Sequence, residues 1–186
     1  ATDIAQMYIK SGKVEKAIVV GTDILSQYTD EEDIGTAIIL SDGAGATLYQ
    51  KSKEDEYYSN IEAIPDEKGI LTCQTDSKIF MEGLAIYKYA VTETVKNVQR
   101  LLDQSGEKLE NIKYIIPHQS NLKIISAIAN RLNIDVSKMY TNIQNVGNTF
   151  CASIPIALDD IEEKELLQKE DKIILLGYGR GLNTGC

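Results

Sequence analysis

The sequence predicts an α/β fold in which helices pack on a mixed β-sheet, and two patterns predict it. Short apolar runs of strand length recur along the chain. They alternate with longer segments whose apolar residues return every three or four positions, as on one face of a helix. Alternation of strands and helices is typical of α/β proteins. No internal repeat and no low-complexity tract interrupts it.

The first 50 residues carry one predicted helix and two predicted strands. Apolar residues at helical spacing predict the helix, and β-branched apolar runs predict strands buried on both faces. The predicted elements are, in order, a helix over 2–10, a buried strand over 16–21, a loop over 22–35, a buried strand over 36–40, a tight turn over 41–45 and an extended segment over 46–50. The charged run 51–56 is a candidate boundary between two structural halves, and a solvated loop explains it equally well.

The remainder of the chain continues the alternation of helices and strands. The predicted elements are a long helix whose apolar stripe covers 80–102 and which ends near residues 105–106, a strand over 114–116, a helix over 121–132, a helix over 152–161 and a strand over 172–176. Helical spacing in the second of these helices predicts its core face. That face consists of Leu122, Ile125, Ile128, Ala129 and Leu132.

The composition is that of a globular protein with a sizeable core. The 186 residues are 43 % apolar and 25 % charged, and the formal net charge is −9. That charge argues against a nucleic-acid partner, and no apolar run reaches the roughly 20 residues that cross a bilayer. Three widely spaced cysteines predict no disulfide framework and favour a reducing compartment, the cytoplasm. The single histidine excludes a His-rich metal site.

Polar side chains gather in three loops at the predicted strand ends. The loops cover residues 117–121, 145–149 and 177–181. Ligand sites in open α/β sheets favour the carboxyl ends of strands, so we expect the three loops to meet at one edge. His118 could equally be a structural histidine, and Asn148 a helix cap or turn residue. The residues alone therefore indicate an enzyme-like chain without indicating the reaction.

Five short stretches occur together along the chain. They are Pro-His-Gln-Ser-Asn at 117–121, Gly-Asn-Thr at 147–149, Val-Val-Gly-Thr-Asp at 19–23, Asp-Gly-Ala-Gly-Ala at 42–46, and Leu-Asp at 158–159 followed by a strand and glycines. In this combination the chain resembles the 3-oxoacyl-acyl-carrier-protein synthase III family of the thiolase-like superfamily. The resemblance covers essentially the whole chain. Each stretch alone would be unspecific.

The resemblance implies a thiolase-like fold of two similar halves, each with a mixed sheet and helices. Residues 1–50 correspond to the last part of the N-terminal half, and residues 51–186 to most of the C-terminal half. The resemblance also implies that the nucleophilic cysteine lies a few residues before Ala1 and that a last strand follows Cys186. None of the three cysteines replaces that nucleophile. Cys151 is interpreted as a small buried apolar residue.

The resemblance implies a decarboxylating condensation. An acyl-CoA primer acylates the cysteine and is then joined to malonyl-acyl-carrier-protein. His118 matches the family histidine and Asn148 the family asparagine. Both are uncharged N–H donors, which suit the thioester oxygen that gains negative charge as carbon dioxide leaves. The resemblance implies no cofactor and no metal beyond these substrates. It implies a homodimer for the full-length protein.

Two further groups of residues match family positions less closely. Gly179, Arg180 and Gly181 occupy the glycine-rich loop whose middle N–H is thought to face the acyl-cysteine oxyanion. The family usually has Gly-Gly-Gly-Phe there, and a positive φ at Arg180 would be strained. Lys123 lies where the family has a basic residue that meets the carrier protein, and Arg131 on the same helix would extend it into a basic patch. A solvated helix face explains these two cations equally well.

Three hypotheses follow for the function. The first is part of a condensing synthase, the second a non-catalytic partner or carrier-protein-binding module, and the third a polyketide-type or hydroxymethylglutaryl-CoA synthase relative. The presence of both His118 and Asn148 favours the first, because a module without chemistry needs neither donor. We expect the two side chains to face one cavity. We also expect the 186 residues alone to show no condensing activity.

Overall fold

The computed structural model describes residues 1–52, 57–74 and 77–186. Its helices are α1 (Thr2–Lys10), α2 (Ile34–Ala37), α3 (Gly83–Ser105), α4 (Leu122–Leu132), α5 (Ile143–Val146) and α6 (Ser153–Glu163). Its strands are β1 (Lys16–Asp23), β2 (Gly43–Gln50), β3 (Ile61–Ala63), β4 (Leu71–Thr72), β5 (Phe80–Met81), β6 (Ile112–Pro117), β7 (Lys172–Gly179) and β8 (Asn183–Gly185). Single 3-10 turns cover 25–27, 109–111, 136–138 and 150–152.

A mixed sheet organises the C-terminal part of the chain. Its strand order is β3-β8-β7-β6, with β6 and β7 parallel and the other neighbours antiparallel. α3 and α4 pack against each other and bury the larger apolar cluster, which includes Val98, Ile115 and Ile128. A smaller cluster joins α6 to β6. The predicted α/β class and mixed sheet are confirmed.

β1 forms an antiparallel pair with β2 that is open on one face, whereas the strand predicted at 16–21 was expected to be buried on both faces. Residues along β1 and β2 alternate between exposed and partly buried positions, so one face of the pair packs on the protein and the other is open. Ile18 and Val20 are more than 60 % exposed on the open face. The prediction of complete burial was wrong because an apolar run cannot reveal whether both faces of a strand are covered.

The segment 36–40 is not a strand. The side chain of Asp33 accepts a hydrogen bond from the Gly35 amide at 2.9 Å and caps α2, which ends at Ala37. An N-cap aspartate satisfies a backbone N–H that would otherwise lack a partner, and here it outweighs the strand preference of the isoleucines that follow. The tight turn predicted at 41–45 is also wrong, because β2 already begins at Gly43.

The predicted long helices are confirmed with shifted boundaries. α3 begins at Gly83, three residues after Phe80, which belongs to β5, and it ends where Gly106 adopts a left-handed φ of 70°. α4 begins after Asn121, whose side chain accepts from the Lys123 amide at 2.8 Å. Leu122 was predicted to lie in the core but is exposed in the first turn of α4. Ile124 is buried in its place.

The last strand is longer than predicted. β7 runs to Gly179, so most of the expected loop at 177–181 is strand, and only residues 180–182 turn the chain into β8. The sequence did not predict β8, which is short and polar. Residues 53–56 of the candidate boundary at 51–56 lie outside the described residues.

Candidate active site

His118 follows β6 directly and is held by contacts on several sides. Its backbone N–H donates to the Leu176 carbonyl at 2.7 Å, which extends the pairing of β6 with β7. Its Nδ1 atom lies 2.7 Å from the Ser153 hydroxyl at the start of α6. The Tyr178 ring packs edge-on, with ring centroids 5.2 Å apart and planes at 72°. The imidazole therefore has a fixed position at the carboxyl end of a buried strand.

The surroundings of His118 keep its imidazole neutral. Burial lowers its pKa from 6.5 to about 4, since a charged ring would lose its hydration. The carboxylate of Asp23 acts in the opposite direction and raises this pKa, but the effect of burial is larger. At neutral pH the ring is thus an uncharged hydrogen-bond donor at one nitrogen and an acceptor at the other.

Asn148 is buried, and its contacts also fix its orientation. Its backbone N–H donates to the Ile39 carbonyl at 2.9 Å, and its carbonyl accepts from the Ser41 amide at 3.0 Å. The side-chain Oδ1 accepts from the Phe150 amide at 3.1 Å. This bond identifies the oxygen of the carboxamide and leaves the Nδ2 group as the free donor. Within residues 1–52, 57–74 and 77–186 no acceptor is found for that group.

A single loop connects the two predicted donors. It begins at Asn148 and ends five residues later at Ser153, which contacts His118. The Asp23 carboxylate at the end of β1 anchors its middle by accepting from the Cys151 amide at 3.0 Å and from the Cys151 thiol at 2.7 Å. The structure therefore brings His118 and Asn148 into one connected unit. It gives no direct hydrogen bond between them in the described part of the chain.

Glycines allow close packing around this loop, at Gly21 in β1 and at Gly147 immediately before Asn148. A Cβ added at Gly21 would lie 2.4 Å from the Cys151 carbonyl oxygen and 2.8 Å from its carbon. A Cβ added at Gly147 would lie 2.7 Å from the Ser41 Cβ, and Gly147 also has a φ of +72°. Both stretches that carried the resemblance thus have a local steric reason for glycine.

Cys151 is not the small buried residue that the sequence predicted. The residue is exposed, because the loop turns its side chain outward towards Asp23. Partial desolvation of the sulfur and its bond to the Asp23 carboxylate raise the pKa of the thiol to about 11. Since the thiolate is the reactive form, this cysteine is a poor nucleophile at neutral pH.

The predicted oxyanion residues form the turn between β7 and β8. Gly179 still pairs with Asn183 in the sheet, and the Arg180 guanidinium donates to the Cys73 carbonyl at 3.4 Å. The Arg180 carbonyl accepts from the Asn183 amide group at 2.7 Å. The positive φ of this turn, +146°, falls on Gly181 and not on Arg180, so the arginine carries no such strain.

Lys123 and Arg131 are both exposed on α4 but lie at opposite ends of it. Eight residues of helix separate their Cα atoms by about 12 Å along the axis. The Arg131 guanidinium donates to the Thr92 hydroxyl at 3.4 Å on α3. Lys123 lies in the first turn of α4, two residues after Asn121, so it is the one of the pair nearer to His118.

Ser153, Tyr178 and Asp23 are the site residues that sequence reasoning missed. Tyr178 is partly buried beside His118, and its hydroxyl hydrogen-bonds to that of Ser120. Burial raises the pKa of the Tyr178 phenol, so this group stays neutral. A serine in the first turn of a helix that follows the Asn148 loop was a usable signal for Ser153, whereas only tertiary contacts reveal the role of Asp23.

The depressed pKa of His118 predicts an acid-sensitive contribution to stability. The unfolded chain binds a proton near pH 6.5, whereas the folded chain binds it only near pH 4. The contribution is therefore fully present above pH 6.5 and is lost as the pH falls towards 4, by up to about 3 kcal/mol. Urea unfolding at neutral pH and near pH 4.5 should show a smaller acid loss for His118→Gln than for the unchanged chain. Equal losses would contradict the prediction.

Neither a metal site nor a membrane span is found in the described residues. Within that part of the chain, His, Cys, Asp and Glu side chains form no cluster of three that could hold a metal ion. None of the described helices is both long and apolar enough to cross a membrane.

The fold is that of solved acyl-carrier-protein synthase III structures. The crystal structure of 3-oxoacyl-[acyl-carrier-protein] synthase III from Aquifex aeolicus VF5 superposes on the whole chain with a TM-score of 0.95 at 36 % identity, and 61 % of that protein is covered. The β-ketoacyl-[acyl-carrier-protein] synthase III from Thermus thermophilus gives a TM-score of 0.92 at 28 % identity, again over the whole chain and 62 % of its own length. The chain therefore has a thiolase-like α/β fold.

Sequence comparison identifies the family within that class. The C-terminal model of 3-oxoacyl-[acyl-carrier-protein] synthase III matches residues 102–186, and a second model of this synthase matches residues 1–64. The β-ketoacyl-[acyl-carrier-protein] synthase III of Clostridium novyi (strain NT) is 38 % identical over 201 residues, and that of Clostridium acetobutylicum 36 % over 204. The chain belongs to the 3-oxoacyl-[acyl-carrier-protein] synthase III family. It spans 62 % of the length of these two curated relatives.

Proposed function

We propose that residues 1–186 supply the decarboxylation donors of a condensing enzyme that joins an acyl-CoA primer to malonyl-acyl-carrier-protein. His118 and Asn148 are the two donors in this proposal. The nucleophilic cysteine is supplied by a segment outside these residues. The chain itself comprises the last part of the N-terminal half over 1–50 and most of the C-terminal half over 51–186.

One observation carries the proposal. In both side chains one polar atom already has a partner: His118 Nδ1 lies 2.7 Å from the Ser153 hydroxyl, and Asn148 Oδ1 accepts from the Phe150 amide. The atoms that remain are carboxamide Nδ2, an N–H donor, and imidazole Nε2, which donates when Nδ1 accepts. Such an arrangement suits an oxygen that becomes negative, because fixed donors stabilise it most when its charge is greatest.

The chemistry follows from the charges. When the carbon–carbon bond to the malonyl carboxylate breaks, its electron pair forms an enolate on the thioester, and carbon dioxide leaves. The two N–H groups stabilise the enolate oxygen. The enolate carbon then attacks the acyl carbonyl carbon of the acylated cysteine, and the carbon–sulfur bond breaks to release the cysteine thiolate. A neutral imidazole suits this step because it donates without transferring a proton that would quench the enolate. The pKa of about 4 supports that neutral state.

The cysteines of this chain support an external nucleophile. A condensing cysteine needs a depressed pKa. Burial instead raises the pKa of the Cys186 thiol to about 12, and that of Cys151 is about 11. Cys73 directly follows β4, and its thiol donates to the carbonyls of Gln74 and Ser77. Neither Cys151 nor Cys186 therefore has the lowered pKa that activates a thiol.

The partners of the whole protein are part of the proposal. Lys123 and Arg131 would contact an acidic acyl carrier protein. Lys123, at the start of α4, would make the contact that lies nearer to His118. Gly179, Arg180 and Gly181 would lie beside the acyl-cysteine. The full-length protein would be a cytoplasmic homodimer that takes acyl-CoA and malonyl-acyl-carrier-protein and needs no further cofactor or metal.

A chimera tests this proposal directly. The 186 residues alone should give no condensation product from acyl-CoA and malonyl-acyl-carrier-protein, because the nucleophile is absent. Joining them to the part of the Clostridium novyi relative that lies outside the match should restore product formation, measured as the 3-oxoacyl-carrier-protein by mass spectrometry.

Two results would contradict the proposal. Turnover by the 186 residues alone would show that a nucleophile lies within them. A folded chimera that binds both substrates but releases no carbon dioxide would favour the non-catalytic module. A chimera in which the relative's cysteine is replaced by alanine is the matched control, and it should lose condensation while keeping decarboxylation of malonyl-carrier-protein.

A further inference from the structure

We propose that Ser153 is a positioning residue that donates its hydroxyl proton to Nδ1 of His118 and thereby fixes the ring proton on Nε2. This inference rests on the proposed function for its purpose, but its geometry stands without it. The two atoms are 2.7 Å apart, and Ser153 is 1 % exposed at the start of α6.

The direction of this hydrogen bond follows from what each atom has within reach. A serine hydroxyl has one proton to donate, and a buried proton of this kind almost always finds an acceptor. For the Ser153 hydroxyl, His118 Nδ1 is the one partner found in the described parts of the chain. If Nδ1 carried the proton and donated it, the hydroxyl proton would remain buried without an acceptor. The opposite direction satisfies both groups.

The consequence concerns the second ring nitrogen. A neutral imidazole carries a single N–H, so an Nδ1 that accepts requires the proton to be on Nε2. Nε2 is the atom that faces away from Ser153 and would serve as the donor in decarboxylation. With the opposite tautomer the site would present a lone pair to a developing negative charge and would repel it.

The other groups around the ring leave this role to Ser153. Tyr178 packs edge-on against His118, and its hydroxyl is already bonded to Ser120. Asp23 is the charged group that acts on the ring, and it favours protonation. Neither neighbour selects between the two neutral tautomers through a hydrogen bond found in the described residues. Ser153 is therefore the residue that distinguishes the two nitrogens.

The single histidine makes the test direct. In the ¹⁵N-labelled 186-residue chain, a long-range ¹H–¹⁵N spectrum contains one imidazole. At neutral pH it should show the proton on Nε2 and Nδ1 as a hydrogen-bonded acceptor. Ser153→Ala should shift the Nδ1 signal towards that of a free nitrogen and increase the share of the Nδ1–H tautomer. It should also raise the His118 pKa by about one unit, since a hydrogen bond to the neutral ring is lost.

Two variants keep this test falsifiable. Ser153→Thr retains the hydroxyl and should restore the original spectrum. Thr149→Val removes a second buried hydroxyl from the same loop, one that has no hydrogen-bond partner in the described residues, and should leave the His118 signals unchanged. The proposal is wrong if Nδ1 carries the proton in the unchanged chain, if Ser153→Ala leaves the spectrum as it was, or if Thr149→Val changes it equally.

These spectra do not depend on turnover, so the two proposals can fail separately. An inactive chimera with the expected spectra would overturn the proposed function and leave the assignment of Ser153 intact. An active chimera in which Ser153→Ala leaves the His118 spectrum unchanged would overturn the assignment of Ser153 and leave the proposed function intact.

Discussion

Replacing His118 with alanine in the active chimera is expected to lower the rate of malonyl-carrier-protein decarboxylation by about 10²–10³-fold, the usual cost of losing one aimed donor. The loss should appear in kcat, because the donor acts on charge that is present only in the transition state. Release of carbon dioxide, followed as radiolabel from the malonyl carboxylate, measures it without requiring the condensation step.

Asn148→Asp provides a sharper version of the same prediction. The change preserves shape but replaces the donor Nδ2 with an oxygen, so a negative charge would lie beside the developing enolate. The loss should equal or exceed that of His118→Ala. Gln104→Glu makes the same amide-to-acid change at an exposed position of α3 and should leave the rate unchanged. A His118→Ala chimera with the original rate would remove this residue from the mechanism.

Gly21→Ala is expected to destabilise the chain by about 3 kcal/mol. The new methyl group would overlap the Cys151 carbonyl, which is backbone and cannot rotate away, so β1 or the Asn148 loop must shift. Urea unfolding followed by circular dichroism measures the loss. Because that loop also carries Ser153, the His118 signals should move in the same variant.

Gly83→Ala is the matched control for this change. A Cβ at Gly83 would meet nothing within 4 Å, and the residue begins α3, where alanine is the better helix former. Its free energy of unfolding should stay equal or rise by up to about 1 kcal/mol. Equal stabilities of the two alanine variants would show that the close approach of β1 to the loop is not tight.

The parts of the fold that the sequence predicted are those set by local chemistry. The boundaries of α4 follow from an Asn cap and an apolar stripe, and Gly106 marks the end of α3. Segment 36–40 was mispredicted as a strand because Asp33, the N-cap that begins α2, lies outside the apolar run. Leu122 was assigned to the core because periodicity gives the direction of a side chain but not the extent of its neighbours.

The candidate site could likewise be predicted from the sequence only in part. His118 and Asn148 could be proposed from short motifs, because each lies in a loop next to a strand or helix end. The long-range contacts around them could not, since Ser153 approaches His118 over 35 positions of sequence and Asp23 approaches Cys151 over 128. Such long-range placements are properties of packing, which a linear pattern does not contain.

The depressed pKa of His118 also bears on how the protein would respond to its surroundings. A donor that is already uncharged well below pH 7 keeps the same protonation state when the pH changes by one unit in either direction. Carbon dioxide release at this site should therefore proceed at a constant rate across physiological acidity. Any acid or alkaline limb in the overall activity would then report on the nucleophilic cysteine before it is acylated or on the carrier protein.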